Sequence, residues 1–391
     1  MTKRPNLIYL DYAASTPVDE RVAEAMTALM TADGNYANPS STHAAGRRSV
    51  EHIAHAADQL AELLNTDATR LIWTSGATES DNLAILGSAY YRQKRGRHLI
   101  TMRTEHKAVT DAFSALERQG FEVTWLDPEF NGILDIGKLE DAMRDDTQLV
   151  SIMHVNNETG AVQDIRNIGA ACRKRDVLFH VDAAQSVGKL PIDLESWCVD
   201  LMSMTAHKVY GPKGIGALYI ADRPGVHIEP LLFGGGQQRK LRPGTLPAQQ
   251  IVAFGMAAEV ARSRMNDDLE HLKAMRDRFW SGVCDLPGIM LNGDIGNSFP
   301  GILNVSIEDI EGESLLLSLE PFCVATGSAC NSKSQEPSYV LRALGRSDEL
   351  AQSAIRFSFG RPTQVEEVDF AIERYRSAIE KLRQIAPERA T

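Results

Sequence analysis

Short apolar runs punctuate the first half of this chain, and each ends on polar or glycine-containing positions. Leu71–Trp73, His98–Met102, Leu149–Val155, Val177–Val181 and Val199–Met204 are continuously hydrophobic rather than alternating, the pattern of strands buried on both faces of a parallel sheet. Helical stretches fill the intervals, so the expected class is α/β, with no internal repeat and no low-complexity linker. Thr16-Pro17-Val18-Asp19-Glu20 has the cap, first-turn proline and early acids of a helix start, and Val22, Met26, Leu29 and Met30 follow at helical spacing. From Ala248 a long helical pattern carrying Ile251, Phe254, Ala258 and Val260 runs through the charged Asn266–Glu270 stretch toward Trp280 and predicts a bridge to a second, smaller unit. That unit reads as α+β. It has strand-like Ile302–Ser306, helical Glu313–Leu319 and Ile355-Arg356-Phe357-Ser358, and a terminal helix around Val368 to Ile385. The expected division is a large domain over 17–260 and a small domain built from 1–16 and 261–391.

Length and composition agree with that outline. A chain of 391 residues favours two domains over one core, and 43% hydrophobic with 24% charged residues is ordinary for a soluble globular protein. A net charge of -11, from 41 basic and 52 acidic side chains, argues against non-specific binding to nucleic acid or to an anionic membrane. The N-terminus reaches Asp11 before any apolar stretch of signal-peptide length, and no run approaches the roughly 18 apolar residues of a membrane span. The expectation is a cytoplasmic protein. Cys172, Cys198, Cys284, Cys323 and Cys330 are odd in number, widely spaced and without a Cys-x-x-Cys pair, which fits neither a disulfide framework nor a zinc site. No metal is expected.

The polar residues at the strand ends carry the chemistry. Val199–Met204 delivers Thr205-Ala206-His207-Lys208 into the Tyr210-Gly211-Pro212-Lys213-Gly214 turn, a place where a lysine is partly desolvated and its amine can form a Schiff base. Val177–Val181 ends on Asp182, an acid that could face the ring nitrogen of a pyridine cofactor, so the pair suits pyridoxal phosphate (PLP). A phosphate needs a cradle. Thr74-Ser75-Gly76-Ala77-Thr78, between a strand and a helix opening near Glu79-Ser80-Asp81, would aim free amides and a hydroxyl at one spot. A solvated loop lysine and an ordinary capped turn are the plain alternatives. His154–Gly160 and Thr104–Lys107 add polar residues past two more strands, where open α/β sheets place ligands.

Six motifs in order, Thr74–Ser80, Glu105–Val109, His154–Glu158, Val181–Ser186, Ala206-His207-Lys208 and Gly327-Ser328-Ala329-Cys330, resemble the cysteine desulfurases of the NifS/IscS type, in the class V aminotransferase family of fold-type I PLP enzymes. The resemblance runs from Tyr9-Leu10-Asp11 to about Leu382. It implies that Lys208 holds PLP as a Schiff base and shuttles protons, that Asp182 keeps the pyridine nitrogen protonated, and that His106 stacks on the ring and serves proton transfer. Asn157 and Gln185 would hydrogen-bond the phenolic oxygen. Ala77, Thr78, Thr205 and His207 would hold the phosphate, with Thr245 reaching in from the other protomer of a homodimer through the Gly234–Thr245 loop. Arg356 matches the family's carboxylate-binding arginine, whose planar fork suits a carboxylate, and Asn38 would assist. A buried salt bridge is the alternative for Arg356.

Cys330 separates the reactions available to such a site. It lies among small and polar residues, Thr326–Glu336, which predict a mobile, exposed loop rather than the buried, inert setting commonest for cysteine. Its thiolate would attack the sulfur of L-cysteine, the expected substrate, and keep that sulfur as a persulfide for an acceptor protein. The other four cysteines read as structural. Thr205 stands where the family usually has serine, and Pro243 replaces a small residue; neither change is expected to abolish PLP binding. The family's housekeeping members continue past Thr391 with a short tail that helps dock an iron-sulfur scaffold, so a tRNA-thiolation or DNA phosphorothioation acceptor is expected as readily as the scaffold. Competing readings are a selenocysteine lyase, another PLP-dependent aminotransferase or lyase with no need of Cys330, and a non-catalytic binding protein, which would be expected to have lost Lys208 or Cys330.

Overall fold

The computed structural model describes residues 7–326 and 336–385. A seven-stranded sheet organises the larger part, in the spatial order Leu71–Thr74, Gly216–Ile220, Leu201–Thr205, Leu178–Asp182, Thr147–Ser151, His98–Met102, Glu122–Leu126. Gly216–Ile220 runs antiparallel to both neighbours, and the remaining adjacent pairs are parallel. All residues of the central strands are buried, which explains their unbroken apolar character: helices cover both faces. The sheet is thus the parallel α/β arrangement predicted. Gly216–Ile220 and Glu122–Leu126 are strands the pattern did not single out.

The helix expected from Thr16 begins later, spanning Glu20–Thr27 with Asp19 as its cap. Thr16 is occupied elsewhere: its hydroxyl donates to His207 O at 3.0 Å and accepts from the Tyr210 amide at 2.8 Å. The first segment of the chain is thereby stitched to the turn after Lys208. A 21-residue helix, Ala44–Leu64, also escaped the sequence reading.

The long helix is continuous over Ala248–Val283 and joins two cores. Ile251, Phe254 and Ala258 pack against the large sheet, whereas Leu272, Met275 and Phe279 belong to the core of a four-stranded antiparallel sheet. That sheet has the order Ala325–Thr326, Ile355–Ser358, Ile302–Ile307, Ile289–Leu291. Phe279 lies 4.2 Å from the Phe357 ring and 6.1 Å from that of Tyr375 on the Val365–Ile385 helix. Burial of one such ring stabilises by roughly 1.5–3 kcal/mol, so this trio anchors both helices to the small sheet. Ile355–Ser358, grouped with the helical segments in the sequence pattern, is a strand. Its Arg356 is polar in sequence yet buried, and its neighbours pair with Ile302–Ile307. Among the described residues, no helix is long and apolar enough to cross a membrane.

Candidate active site

A cavity of about 470 Å³ opens at the carboxyl ends of Leu71–Thr74, Leu178–Asp182 and Leu201–Thr205. Its placement follows from the sheet, whose central strands end on polar residues just where their apolar runs stop. Asp182, 5% exposed, closes its strand with Oδ1 accepting the Ala184 amide at 2.8 Å. Lys208 is the last residue of a short 3-10 turn that directly continues Leu201–Thr205. Both residues line the cavity, together with His106, Asn157, Gln185 and Arg356.

The Ser75–Thr78 wall is shaped by two glycines. Gly76, with φ +155, is the cap of the Ala77–Arg92 helix and supplies no side chain to its first amides. Gly216 lets the neighbouring strand pass close by, since a Cβ there would meet Met204 O at 2.5 Å and Gly76 Cα at 2.6 Å. The helix start therefore borders the cavity beside Thr205 and His207, where the positive end of its dipole favours an anion. Burial, reinforced by the cations Lys208, Lys213 and Lys189, pushes His207 down to about 4. Lys208 and Lys213 in the cavity wall beside that helix start suit a phosphate.

On the opposite side His106 caps the Lys107–Glu117 helix, and its Nδ1 accepts the Ala108 amide at 3.1 Å. The neutral ring therefore carries its proton on Nε2. Burial depresses the His106 pKa, opposed by the Asp182 charge and aided by Lys208. Beneath the floor, burial holds the Asp81 and Glu105 carboxyls well above the usual range, and the Asp182 charge raises both further. His180, pushed down to about 3 by burial, bonds Ser151 and Ser203 there. Burial thus disfavours the charged forms of all three groups beneath the strand end that carries Asp182.

Arg356 is 6% exposed. Its Nη1 donates to Asn157 O at 2.8 Å and its Nη2 to Asp11 Oδ1 at 2.6 Å, while its buried Nε has no partner among the described residues. Nη1 and Nη2 each carry a second N–H beyond these contacts, and Arg356 borders the cavity, so the guanidinium keeps donors to offer a carboxylate. Asn156 builds the adjoining turn by accepting from the Glu158 and Thr159 amides and donating to Thr104 O.

These features fit PLP: an amine, a buried carboxylate on the neighbouring strand end, a flat imidazole, and a glycine-shaped anion cradle around one space. Lys208, Asp182, His106, Asn157, Gln185, Ala77, Thr78, Thr205, His207 and Arg356 all border that space. Two predicted residues do not. Asn38 is exposed and folds its side chain back on the Ser40 amide at 2.8 Å, and Thr245 is exposed in the loop after Gly244. Cys330 lies outside the described residues. Asp11, Ala13, Lys189 and Lys213 were not anticipated as part of the site; Lys213 had a signal in its Gly/Pro turn, whereas Asp11 and Lys189 look like solvated positions in sequence.

The aminotransferase class-V family model matches residues 8–370. Cysteine desulfurase IscS of Klebsiella pneumoniae is 55% identical over 97% of this chain and 94% of its own length, and that of Vibrio vulnificus is 56% identical over the same shares. Among solved structures, a NifS-like protein superposes with a TM-score of 0.89 at 36% identity, covering 96% of this chain and all of its own. DndA from Streptomyces lividans superposes with a TM-score of 0.77 at 38% identity, covering 90% of this chain and 99% of its own. The chain belongs to the class-V aminotransferase family of PLP-dependent enzymes, among its NifS/IscS-type cysteine desulfurases.

Proposed function

We propose that this protein takes sulfur from L-cysteine, releasing L-alanine and leaving a persulfide on Cys330 for an acceptor protein. The observation that carries this reading is the convergence of Lys208, Asp182, His106 and Arg356 on one cavity, in a chain more than half identical to cysteine desulfurases. A solved relative, SspA, was captured in complex with cysteine. It is 38% identical, with a TM-score of 0.80 over 92% of this chain.

When bound, PLP withdraws electron density from the substrate's Cα and makes its proton labile. Lys208 holds the cofactor covalently and moves protons at the substrate carbon. The Ala77 and Thr78 amides, the Thr205 hydroxyl and His207 hold its phosphate, with Thr245 of a second copy completing the cradle in a homodimer. Asp182 would serve the pyridine nitrogen, and Asn157 and Gln185 the phenolic oxygen. His106, its Nδ1 engaged, offers an Nε2 proton at the ring face. Arg356 takes the substrate carboxylate through the Nη N–H groups that Asn157 O and Asp11 do not use, with Asn38 assisting. The Cys330 thiolate then forms an S–S bond as the substrate Cβ–S bond breaks, and the carbon skeleton gains the proton that makes it alanine. The reaction belongs in the cytoplasm, where thiols stay reduced. The acceptor is an iron-sulfur scaffold or a nucleic-acid thiolation or phosphorothioation partner. The division into units 17–260 and 1–16 with 261–391 belongs to the same reading and places Cys330 on the smaller one.

The test compares wild type with Lys208→Ala and Cys330→Ala, given L-cysteine and a reductant. Visible cofactor absorbance in wild type that changes in Lys208→Ala, with alanine and sulfide lost in both variants, is expected. Undiminished alanine from Cys330→Ala would contradict the proposal.

A further inference from the structure

Lys189 lies four residues beyond Gln185, in the turn-rich segment after the Leu178–Asp182 strand. Its Nζ donates to Gln185 Oε1 at 3.0 Å and sits 5.5 Å from the Phe299 ring centre. At its other end the Gln185 amide donates through Nε2 to Ala13 O at 2.7 Å. An ammonium only donates and a carbonyl only accepts, so the two contacts together fix which end of the amide is oxygen. Nε2 keeps one N–H for the cavity that Gln185 and Ala13 both border.

The clamp is built at some expense. Burial, joined by the cations Lys208 and Arg356, pushes Lys189 down to about 7. On its far side a small cavity of about 30 Å³, bounded by Tyr12, Tyr210, Asp268 and Arg361, has room for roughly one water. The amine is therefore held in the field of the site, on a side chain that is only partly exposed. Gln185 itself is 3% exposed, so without Lys189 its Oε1 would be left buried and unpaired, a loss that rotation of the side chain would relieve. Rotation would carry Nε2 away from the cavity.

We propose that Lys189 is a positioning residue that acts through Gln185: it holds the amide so that its free N–H meets the phenolic oxygen of the cofactor. This rests on the PLP reading above. Hydrogen bonding to that oxygen stabilises its anion and lowers the pH at which the bound cofactor changes protonation. Loss of Lys189 raises that midpoint only if Gln185 is there to be misplaced. A bare effect of the Lys189 charge on Lys208 would act with or without Gln185.

The experiment titrates the visible absorbance of the purified holoprotein against pH in wild type, Lys189→Met, Gln185→Leu and the double variant. Lys189→Met is expected to raise the midpoint by about one pH unit, and to add less than about a third of that in the Gln185→Leu background. Equal shifts in both backgrounds would overturn the proposal, as would no shift in either. Cofactor content per chain verifies folding, and Lys189→Gln, too short for the contact, replaces the methionine variant if the latter does not fold. A wild-type holoprotein without visible absorbance would instead refute the PLP reading.

Discussion

Asp11 Oδ1 stands 2.6 Å from Arg356 Nη2, joining the start of the chain to a strand 345 residues later. The pair is a support rather than a neutralised end point. Asp11 and Asn157 O each take one N–H, of Nη2 and of Nη1, which fixes the plane of the guanidinium and leaves a second N–H on each nitrogen. Orientation matters here because a guanidinium recognises a carboxylate by matching planes.

Asp11→Asn should therefore act mainly on substrate affinity. Loss of the charged contact frees the guanidinium to rotate, at about 1–2 kcal/mol, which corresponds to a KM for L-cysteine raised roughly 5- to 30-fold with kcat changed much less. Arg356→Lys, which removes the fork itself, should be worse by a further factor of about ten. Steady-state kinetics on alanine release separate the two.

Gly216→Ala tests the cradle. The added methyl would meet Met204 O and Gly76 Cα at 2.5 and 2.6 Å, and neither backbone has room to retreat. Displacement of the Gly76 turn should reduce cofactor retention at least about tenfold and destabilise the fold by about 1–3 kcal/mol. Equilibrium dialysis of cofactor and a thermal melt report the two effects independently.

Glu158 gives a pH signature. Burial raises its carboxyl to about 7, although the Ser338 hydroxyl at 2.5 Å and the Arg356 charge both oppose the rise. A carboxyl whose folded pKa lies above its unfolded value near 4.3 binds more protons when folded, so its contribution to stability falls as pH rises from about 4.3 to 7. Glu158→Gln removes that slope. Its stability relative to wild type should grow by about 2–4 kcal/mol between pH 4.5 and 8, measured by urea denaturation at each pH; the lost Ser338 hydrogen bond shifts both ends alike and leaves that difference unchanged.

What was legible in the sequence followed from burial and strand ends. Five strands of the large sheet showed as apolar runs because they are buried along their whole length, and Asp182 and Lys208 stood out because each follows closely on such a run. Gly216–Ile220 was harder to see, since its short Gly-Ala-Leu-Tyr-Ile run follows a turn already assigned to Lys208. The Ala44–Leu64 helix was missed although Ile53, Ala56, Leu60 and Leu64 lie on its buried side, because small and polar Gly46, Ser49 and Gln59 are buried with them. Asp11 and Lys189 were illegible for another reason: a lone acid or lysine in a loop is usually solvated, and only the tertiary approach of Arg356 or Gln185 gives it work. Asn38 and Thr245 remain outside the cavity of a single chain, and their proposed roles depend on a second copy or on substrate.

The central claim is that Cys330 receives the sulfur. The direct measurement is peptide mass spectrometry after a single exposure of the holoprotein to L-cysteine without reductant, with alanine quantified in the same sample. The account predicts one added sulfur atom on the peptide holding Cys330, in proportion to the alanine released, and neither product in Cys330→Ala. Alanine formed without sulfur on Cys330, or formed equally in the variant, would contradict it.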